Sequence, residues 1–590
     1  MILKDYQQTA IRDLEDFLKI LDEKNSLSEA YKVFWESRDV QARPPYQNNI
    51  SGVPQVCFKV PTGGGKTFMA VASLKSIFNF LPSTQTKMVV WLVPSETILS
   101  QTYKNLHNIA HPYRQQLNTD FNGQVAVYDK MQLLMGENFS PSEVANQLSI
   151  LILSYDSFRT SNKEGRKAFQ QNENLCKFFP QVKDADETSL VHVIRHYKPI
   201  IIVDESHHAK TNLSLEMLKN FNPSFILELT ATPKENSNVI SYVPAWKLKS
   251  AGMVKLPVIV YNRYTQEDVI SDAINFRKRL EKISAAEKIR PIVLFQAETH
   301  GNEDRTTFDK IKEILIQNHK IPSEQIAIKT AEINDLKNVD LRSENCQIRF
   351  IITVNALKEG WDCPFAYILA SLANRNSAID VEQILGRILR RPFTKNFTDE
   401  LLNMSYVFTS SANFRETLEK IVIGLNSAGF SDKEYRAVNL SENIEIAENI
   451  SERQENFSLQ ENLNLHTEEK IFDENKKVVS MEQEALQNNE IYKSETIDSK
   501  KNIRSNEEVE RMTSFSMCEQ FQDAKNILLP QFLCKEDFGS IFGGVKYKFI
   551  SKEMFSTKFS LDDKDIQIDF ENLNYEIVSI DTHDKEDFPH

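Results

Sequence analysis

Two carboxylates and two imidazoles stand within five residues in the stretch IIIVDESHHAK, which covers residues 200–210. Aspartate and histidine are common zinc ligands, so a zinc site is one interpretation of this cluster. The spacing argues against it, because two histidines that share a helix face stand at positions i and i+4, whereas His207 and His208 are adjacent. The chemistry of the cluster therefore depends mainly on Asp204 and Glu205.

The residues before this cluster, KPIIIV, predict a fully buried parallel strand that ends next to Asp204. Open α/β sheets bind their ligands at the carboxyl ends of their strands. Asp204 and Glu205 are therefore predicted to lie at a ligand-binding edge. His207 is expected to connect this edge to neighbouring segments, and for His208 a structural role and a role in the site are both open.

A glycine-rich turn, PTGGGKT at residues 61–67, follows the strand-like VCFKV and precedes the helical pattern FMAVASL. Glycines let backbone N–H groups close around phosphate oxygens, and the following helix N-terminus adds partial positive charge. The strict pattern GxxxxGK(S/T) has its first glycine where this chain has Val60. The predicted nucleotide-binding residues are Thr62, Gly63, Gly64, Gly65, Lys66 and Thr67.

The two segments together predict ATP hydrolysis with Mg²⁺ as the cofactor. Lys66 would reach the β- and γ-phosphates, and Thr67 would help to hold the metal ion. Asp204 would bind the same ion, while Glu205 would position and deprotonate the attacking water. The carboxylate cluster is thus interpreted as the catalytic half of a nucleotide site.

A basic motif, QILGRILRR, covers residues 383–391. Arg387 and Arg390 are three residues apart, so on a helix they share a face and can reach one anion, as arginine fingers do. A solvated basic helix face is the alternative interpretation. Gly386 favours the arginine-finger interpretation, because a glycine within an apolar helix indicates a close approach to another group.

Strand-like and helical segments alternate through residue 430, which predicts an α/β fold with parallel sheets. The motifs fall into two runs, so we expect two domains at residues 1–245 and 255–430, joined by a hinge within residues 242–257. Residues 26–54 show little periodicity and are predicted to be rich in loops. Besides the strand before the phosphate loop, the predicted strands cover residues 87–93, 149–154, 199–203, 225–229, 291–295, 349–354, 367–372 and 406–409.

The net charge of −13 is concentrated in the C-terminal part of the chain. Residues 431–590 contain 19 Lys and Arg against 35 Asp and Glu, which leaves 51 and 48 for residues 1–430. The first 430 residues are therefore nearly neutral, and a basic groove for nucleic acid remains compatible with them. Residues 431–514 are expected to form an acidic linker, disordered or loosely helical, and residues 515–590 a small α+β unit.

The six cysteines form no CxxC pair, so neither a disulfide framework nor a zinc knuckle is predicted. The N-terminal sequence MILKDYQQTA lacks the apolar core of a signal peptide. No apolar run approaches the length of about 18 residues that a membrane span needs. A cytoplasmic protein that does not bind membranes is the expectation.

The combination of motifs resembles the superfamily 2 helicases of the DEAD/DEAH-box type, and more narrowly the Res (ATPase/helicase) subunit of type III restriction enzymes. PTGGGKT, DESH, the TAT of residues 230–232, ALKEGWDCP at residues 356–364 and QILGRILR match the family's motifs in the family's order. The resemblance covers residues 1 to about 430, and ALKEGWDCP is its most specific part.

The resemblance implies two tandem RecA-like domains with ATP between them, nucleic acid across both, and a motor that translocates on double-stranded DNA. A modification (methyltransferase) subunit is implied as a partner. By position in the motifs, Gln7 would recognise adenine. Arg387 and Arg390 would complete the γ-phosphate site, with Gln383 nearby. Gly360 and Asp362 would belong to the nucleotide site, and together with Thr230 and Thr232 they would couple hydrolysis to domain closure. Trp361 is open between stacking on a base and burial in the core.

Two alternatives to the DNA motor stay open at this point: an ATPase stimulated by RNA, and a nucleotide-binding scaffold that does not hydrolyse ATP. The family's endonuclease constellation of paired carboxylates and a lysine is not matched. Glu474 and Lys476 have part of its spacing but stand in the acidic stretch without a Pro-Asp pair upstream. Endonuclease activity is therefore not predicted for this chain, in which a nuclease domain would be absent, truncated or on a partner.

Overall fold

The structure is a computed structural model that divides into two compact units, Met1–Ser514 and Phe515–His590. The second unit is described by itself, through one antiparallel pair of strands. The described residues are 2–38, 45–82, 86–158, 167–182, 188–205, 211–234, 236–297, 307–330, 332–337, 339–341, 343–354, 363–372, 388–410, 418, 421–422, 425–426, 428–430, 435–438, 465–501, 533–536 and 546–549.

A first sheet of seven parallel strands occupies the N-terminal part of the larger unit, and its strands are buried on both faces. Its strand order is β3-β4-β2-β5-β6-β1-β7. The strands are β1 (Gln55–Lys59), β2 (Met88–Val93), β3 (Val125–Tyr128), β4 (Leu148–Ser154), β5 (Ile200–Asp204), β6 (Phe225–Thr230) and β7 (Val239–Tyr242).

Helices precede and connect these strands. The N-terminal helices α1 and α2 come before β1, and α3 follows the phosphate loop directly. The helices are α1 (Asp5–Lys24), α2 (Leu27–Glu36), α3 (Lys66–Phe80), α4 (Glu96–His107), α5 (Pro112–Asp120), α6 (Lys130–Met135), α7 (Pro141–Asn146), α8 (Leu190–His196) and α9 (Thr211–Asn220), with short 3₁₀ helices at Tyr155–Phe158 and Glu173–Phe178.

The short helix α10 (Ala245–Ser250) lies between this sheet and a second parallel sheet of seven strands, within the predicted hinge. The order of the second sheet is β10-β11-β9-β12-β13-β8-β14. Its elements are β8 (Val258–Asn262), α11 (Gln266–Ser284), β9 (Ile292–Gln296), α12 (Phe308–Gln317), β10 (Ile326–Lys329), β11 (Phe350–Thr353), β12 (Ala366–Ser371), β13 (Ser405–Thr409) and β14 (Tyr435–Val438), with 3₁₀ helices at Ala285–Glu287, Ser323–Gln325, Pro392–Thr394 and Glu400–Asn403.

The two sheets have the same topology, because each, counted from its own first strand, has the order 3-4-2-5-6-1-7. Both are entirely parallel, so helical crossovers must cover their faces, as the alternation in the sequence predicted. The predicted fold class, two tandem RecA-like domains with parallel sheets, is confirmed.

The prediction of a loop-rich segment at residues 26–54 is wrong for its first part, which forms α2. Ser26 caps this helix by accepting a hydrogen bond from the Glu29 amide. Tyr31, Phe34 and Trp35 are buried, Phe34 packs on Phe17 of α1, and the Tyr31 hydroxyl donates to the Val239 carbonyl of β7 at 3.1 Å. A short apolar face therefore stabilises the helix despite the weak periodicity around it.

The acidic C-terminal region contains one long helix, α13 (Leu465–Lys501), which packs against the second domain. Met481, Ala485, Asn489 and Tyr492 recur at intervals of three or four residues and are all buried. Asn489 accepts a hydrogen bond from the Lys249 ammonium on α10, 3.2 Å away. Of the two predicted states of the acidic segment, disordered or helical, the helical one is therefore found at residues 465–501.

The second unit is described only at β15 (Leu533–Glu536) and β16 (Lys546–Phe549), which pair in antiparallel register. Among the described helices of the chain, none combines the length and the apolar composition that a membrane span requires.

Candidate active site

The phosphate loop is tightly packed around its glycines. A Cβ atom on Gly64 would lie 2.4 Å from Cγ1 of Val60, and one on Gly65 would lie 2.5 Å from Nε2 of Gln7. Gly63 and Gly65 have φ values of +84° and +77°, which favour glycine. The loop thus has the close approach and the backbone freedom that a phosphate-binding turn needs.

Val60, the departure from the strict motif, is buried within this loop. Its amide donates to the Thr230 carbonyl at 2.9 Å, and its carbonyl accepts from the Lys66 ammonium at 3.4 Å. Its side chain fills the space that the missing Cβ of Gly64 leaves. Valine at this position is therefore packed within the loop and hydrogen-bonded through its backbone.

Helix α1 braces the phosphate loop from the N-terminal side. The Tyr6 hydroxyl and the Gln7 amide nitrogen both donate to the Gly64 carbonyl, at 2.8 and 3.1 Å. The Gln7 amide oxygen accepts from the backbone nitrogen of Lys4 at 2.9 Å. Gln7 is 1% exposed, so the residue predicted to recognise adenine lies directly beneath the loop and supports its shape.

The predicted lysine and the predicted general base form an ion pair. The Lys66 ammonium lies 2.7 Å from Oε1 of Glu205, and their side chains are 9% and 22% exposed. Glu205 has a φ of +51°, a conformation rare outside glycine, and its amide donates to the Leu229 carbonyl at 2.9 Å. The end of β5 and the phosphate loop therefore meet at one point, as the sequence predicted.

Asp204 is buried at the end of β5, 6% exposed, on the same edge of the sheet. Burial raises its pKa to about 7, the adjacent Glu205 carboxylate adds to this, and the Lys66 ammonium and the Arg390 guanidinium oppose it. The buried Asp204 carboxyl therefore holds a proton more readily than a solvent-exposed aspartic acid does. A divalent cation beside Asp204 would favour its charged form, which fits the predicted Mg²⁺ site.

Arg390, from the second domain, reaches this site through the hinge. It forms an antiparallel bridge with Val254, which follows α10. A Cβ atom on Gly63 would lie 3.6 Å from Cγ of Arg390 and 3.3 Å from Cγ1 of Val254. Together with the influence of Arg390 on the pKa of Asp204, these contacts bring the predicted arginine to the phosphate loop.

The TAT segment lies at the end of β6, which pairs with β5 and with β1 in the first sheet. Thr230 ends β6 fully buried, and its hydroxyl accepts from the Thr232 amide at 3.2 Å. Thr67 is half-buried in the first turn of α3, directly after Lys66 in the chain. Thr230 thus ends the strand that lies between the strands leading to Glu205 and to the phosphate loop.

Several predicted residues lie outside the described part of the chain. They are His207, His208, Gly360, Trp361, Asp362, Gln383 and Arg387.

Sequence reasoning missed Tyr155, which lies next to the carboxylates. Its hydroxyl donates to the Asp204 carbonyl at 3.3 Å, and burial raises its pKa well above the usual range. The segment ILSYDSF offered a signal, because a polar cluster follows a buried strand there as it does after β5. Val254 offered none, since only the folded hinge brings it to Gly63.

Residues 1–235 match the family model described as "Type III restriction enzyme, res subunit". The predicted resemblance to this superfamily 2 helicase family is therefore confirmed over the residues that contain PTGGGKT, DESH and TAT. The search of curated proteins finds no match.

Solved structures that match this chain include the ATP-dependent type ISP restriction-modification enzyme LlaBIII bound to DNA, at 13% identity and a TM-score of 0.43. The match covers 74% of this chain and 31% of that one, so this chain spans about a third of the enzyme's length. A dbp5 variant of S. cerevisiae bound to gle1 matches at 13% identity and a TM-score of 0.37, over 74% and 95% of the two chains. A DEAD box protein from Methanococcus jannaschii matches at 12% identity and a TM-score of 0.35, over 74% and 98%.

Proposed function

We propose that this chain is an ATPase stimulated by nucleic acid, which translocates along double-stranded DNA as the Res-type motor of a restriction or defence system. The observation that carries the proposal is the 2.7 Å pair of Lys66 and Glu205, flanked by Asp204 and by Arg390 from the second domain. A phosphate loop, two carboxylates at a strand end and an arginine from a second domain are the parts that phosphoryl transfer needs.

ATP would supply the transferred phosphoryl group, and Mg²⁺ would neutralise charge developing on it. Lys66 would exchange the Glu205 carboxylate for phosphate oxygens, which releases Glu205 to accept a proton from water. Asp204 and Thr67 would hold the metal ion. Arg390, with Arg387 and Gln383, would offset charge on the γ-phosphate from the second domain.

The nucleotide's other contacts follow the same arrangement. Residues 62–67 would surround the phosphates, Gln7 would border the adenine, and Gly360 and Asp362 would face the nucleotide from the second domain. Thr230 and Thr232 would link hydrolysis to the closing of the two domains. Double-stranded DNA as the polymer and a methyltransferase subunit as the partner are what the Res-type motifs imply. The cytoplasm is the proposed location, from the cysteine spacing and the sequence of the N-terminus.

The test is steady-state ATP hydrolysis by the purified chain with no polymer, double-stranded DNA, single-stranded DNA or RNA. We expect the strongest stimulation with double-stranded DNA, and we expect Lys66→Ala to abolish it. Lys75→Ala is the matched control, because Lys75 lies on the same helix with a side chain 56% exposed and paired with Asp120 at 3.6 Å. It should leave the rate unchanged.

Stronger stimulation by RNA would replace the DNA motor with an RNA-dependent ATPase. ATP binding without hydrolysis under any of these conditions would contradict the motor and favour a nucleotide-binding scaffold.

A further inference from the structure

A helix of the second domain ends against the phosphate loop at residues 425–430. The Phe430 amide donates to the Leu425 carbonyl at 2.8 Å, and the Gly429 amide donates to the Asn426 carbonyl at 3.0 Å. Gly429 has a φ of +85°. These two bonds and the left-handed glycine define a Schellman motif, in which Ala428 is the C-cap residue.

The carbonyl of Ala428 finds its donor in the first domain. The last carbonyls of a helix have no donor within the helix and need an outside partner. The Ala428 carbonyl accepts from the backbone amide of Thr62 at 2.8 Å. Thr62 belongs to the phosphate loop, so one end of that loop is hydrogen-bonded to the second domain.

The contact at Gly429 leaves no room for a side chain. A Cβ atom there would lie 3.0 Å from Cα of Pro61, 3.0 Å from Cβ of Ala231 and 3.1 Å from the Ala231 carbonyl oxygen. Pro61 opens the phosphate loop, and Ala231 is the middle residue of TAT. One turn of the second domain therefore touches both loops next to the site.

The turn is anchored firmly on its own side. Leu425 is fully buried, and Ala428 and Phe430 are 6% and 5% exposed within the hydrophobic core. A displacement of the second domain would therefore displace the turn, and with it the hydrogen bond to Thr62. Misplacement of catalytic groups by about 1 Å can cost about 100-fold in rate, so such a contact is mechanically significant.

We infer that the turn at residues 428–430 is a coupling contact, which transmits the position of the second domain to the phosphate loop and to TAT. Gly429 is its positioning residue, because only a residue without Cβ allows the turn to approach Pro61 and Ala231. The inference rests on the proposed ATPase function. Under this inference, residues 428–430, which lie outside the family-type motifs, take part in the stimulation of hydrolysis by bound DNA.

The experiment compares ATP hydrolysis by the full chain with and without double-stranded DNA in wild type and Gly429→Ala. We expect the DNA-stimulated rate of the variant to fall by about 10- to 100-fold while the basal rate changes by less than about threefold. Binding of a fluorescent ATP analogue should be retained. A loss of folding would lower the basal rate and nucleotide binding together with the stimulated rate.

Two further variants separate the contact from the conformational cost of alanine at positive φ. Gly123→Ala is the matched control, since Gly123 has a φ of +75° and nothing within 4 Å of its added Cβ. It should leave the stimulation unchanged. Adding Ala231→Gly to Gly429→Ala removes one of the three close contacts and should restore part of the stimulation.

Full stimulation in Gly429→Ala would overturn the inference. An equal fall of the basal and stimulated rates that Ala231→Gly does not relieve would also overturn it, because the contact would then be purely structural. Failure of the proposed function is a different result, since wild type itself would then hydrolyse no ATP with any polymer.

Discussion

The two seven-stranded sheets have one topology but different carboxyl edges. In the first sheet, β1 leads into the glycine-rich loop and Lys66, and β5 ends in Asp204. In the second sheet, the corresponding strand β8 leads through Arg263 to a helix that Thr265 caps, and β12 ends in Ser371. The glycine-rich turn and the acidic strand end are thus features of the first sheet's loops, while the sheet itself is common to both.

The central strands of the second sheet end in neutral polar residues. Ser371 donates to the amide oxygen of Gln296 at 3.0 Å, and Gln296 and Thr353 are fully buried at the ends of β9 and β11. The Gln296 amide nitrogen and the Thr353 hydroxyl have no hydrogen-bond partner within the described residues. Such groups can bind a polar ligand but cannot activate water as a carboxylate can, which places the proposed chemistry on the first sheet.

The largest effect should follow from neutralising the charged edge of the first sheet. Glu205→Gln removes the proposed base, and we expect a fall in DNA-stimulated hydrolysis of about 10²- to 10⁴-fold. Nucleotide binding should persist, because the variant frees Lys66 from its ion pair. Turnover at saturating ATP and equilibrium binding of a fluorescent ATP analogue measure the two effects.

The matched control for this variant lies at the corresponding position of the second sheet. Leu372 follows β12 as Glu205 follows β5, and it is 1% exposed. Leu372→Met conserves volume and should change the rate by less than about threefold, since such substitutions usually cost less than about 1.5 kcal/mol. Hydrolysis by Glu205→Gln at the wild-type rate would rule out Glu205 as the base.

The second-largest effect is expected on the free energy of unfolding. It concerns the turn after β8, at Arg263, which stands where the phosphate loop follows β1 in the first domain. Arg263 is buried and paired with Asp272, and it donates to the Met481 sulfur on α13 at 2.9 Å. Arg263→Met leaves the Asp272 carboxylate buried, so we expect a loss of about 3–5 kcal/mol in the free energy of unfolding. The midpoint and slope of urea unfolding measure it.

Lys477→Met is the control at the same carboxylate. Lys477 lies 3.0 Å from Asp272 but is 43% exposed, so its loss should cost about 0–1 kcal/mol. Equal unfolding midpoints for Arg263→Met and wild type would show that the buried pair adds no stability. The turn after β8 would then lack the structural role that distinguishes it from the phosphate loop.

The strands that the sequence predicted are those with continuous apolar runs. β2, β4, β5 and β9 are buried throughout, and their predicted ends differ by at most one residue from those in the structure. The strands β3, β7, β10 and β14 lie at the edges of the sheets and have four residues each, too few for a distinct pattern. Strand β8 was not predicted, although its apolar run begins directly after Pro257, the last residue of the predicted hinge.

The site shows the same division between local and long-range information. The phosphate loop and the carboxylates are local motifs, so their residues could be named from spacing alone. The contacts of Gly63 with Val254 and of Thr62 with Ala428 join residues far apart in the chain. Nothing in the sequence near either partner indicates them, because tertiary packing alone brings them together.

The smallest expected effect is a pH dependence where α13 meets the hinge. Burial lowers the pKa of Lys249 to about 7, with Arg391 and Lys493 adding to this shift and Glu400 opposing it. The ammonium lies over the Tyr492 ring at 4.2 Å. With α13 unfolded, Lys249 would bind its proton up to about pH 10.5, so the unfolded form holds more protons between about pH 7 and 10.5.

Stability of the docked helix should therefore rise as the pH increases from about 7 towards 10, and below about pH 7 the full cost of burying the charge should remain. We expect Lys249→Met to flatten this rise, as measured by amide hydrogen exchange along α13 at several pH values, with exchange rates corrected for their intrinsic pH dependence. Lys247→Met on the same helix, where the ammonium lies over Trp246 at 5.5 Å, is the control and should keep the slope. An unchanged slope in Lys249→Met would assign the pH dependence to another group.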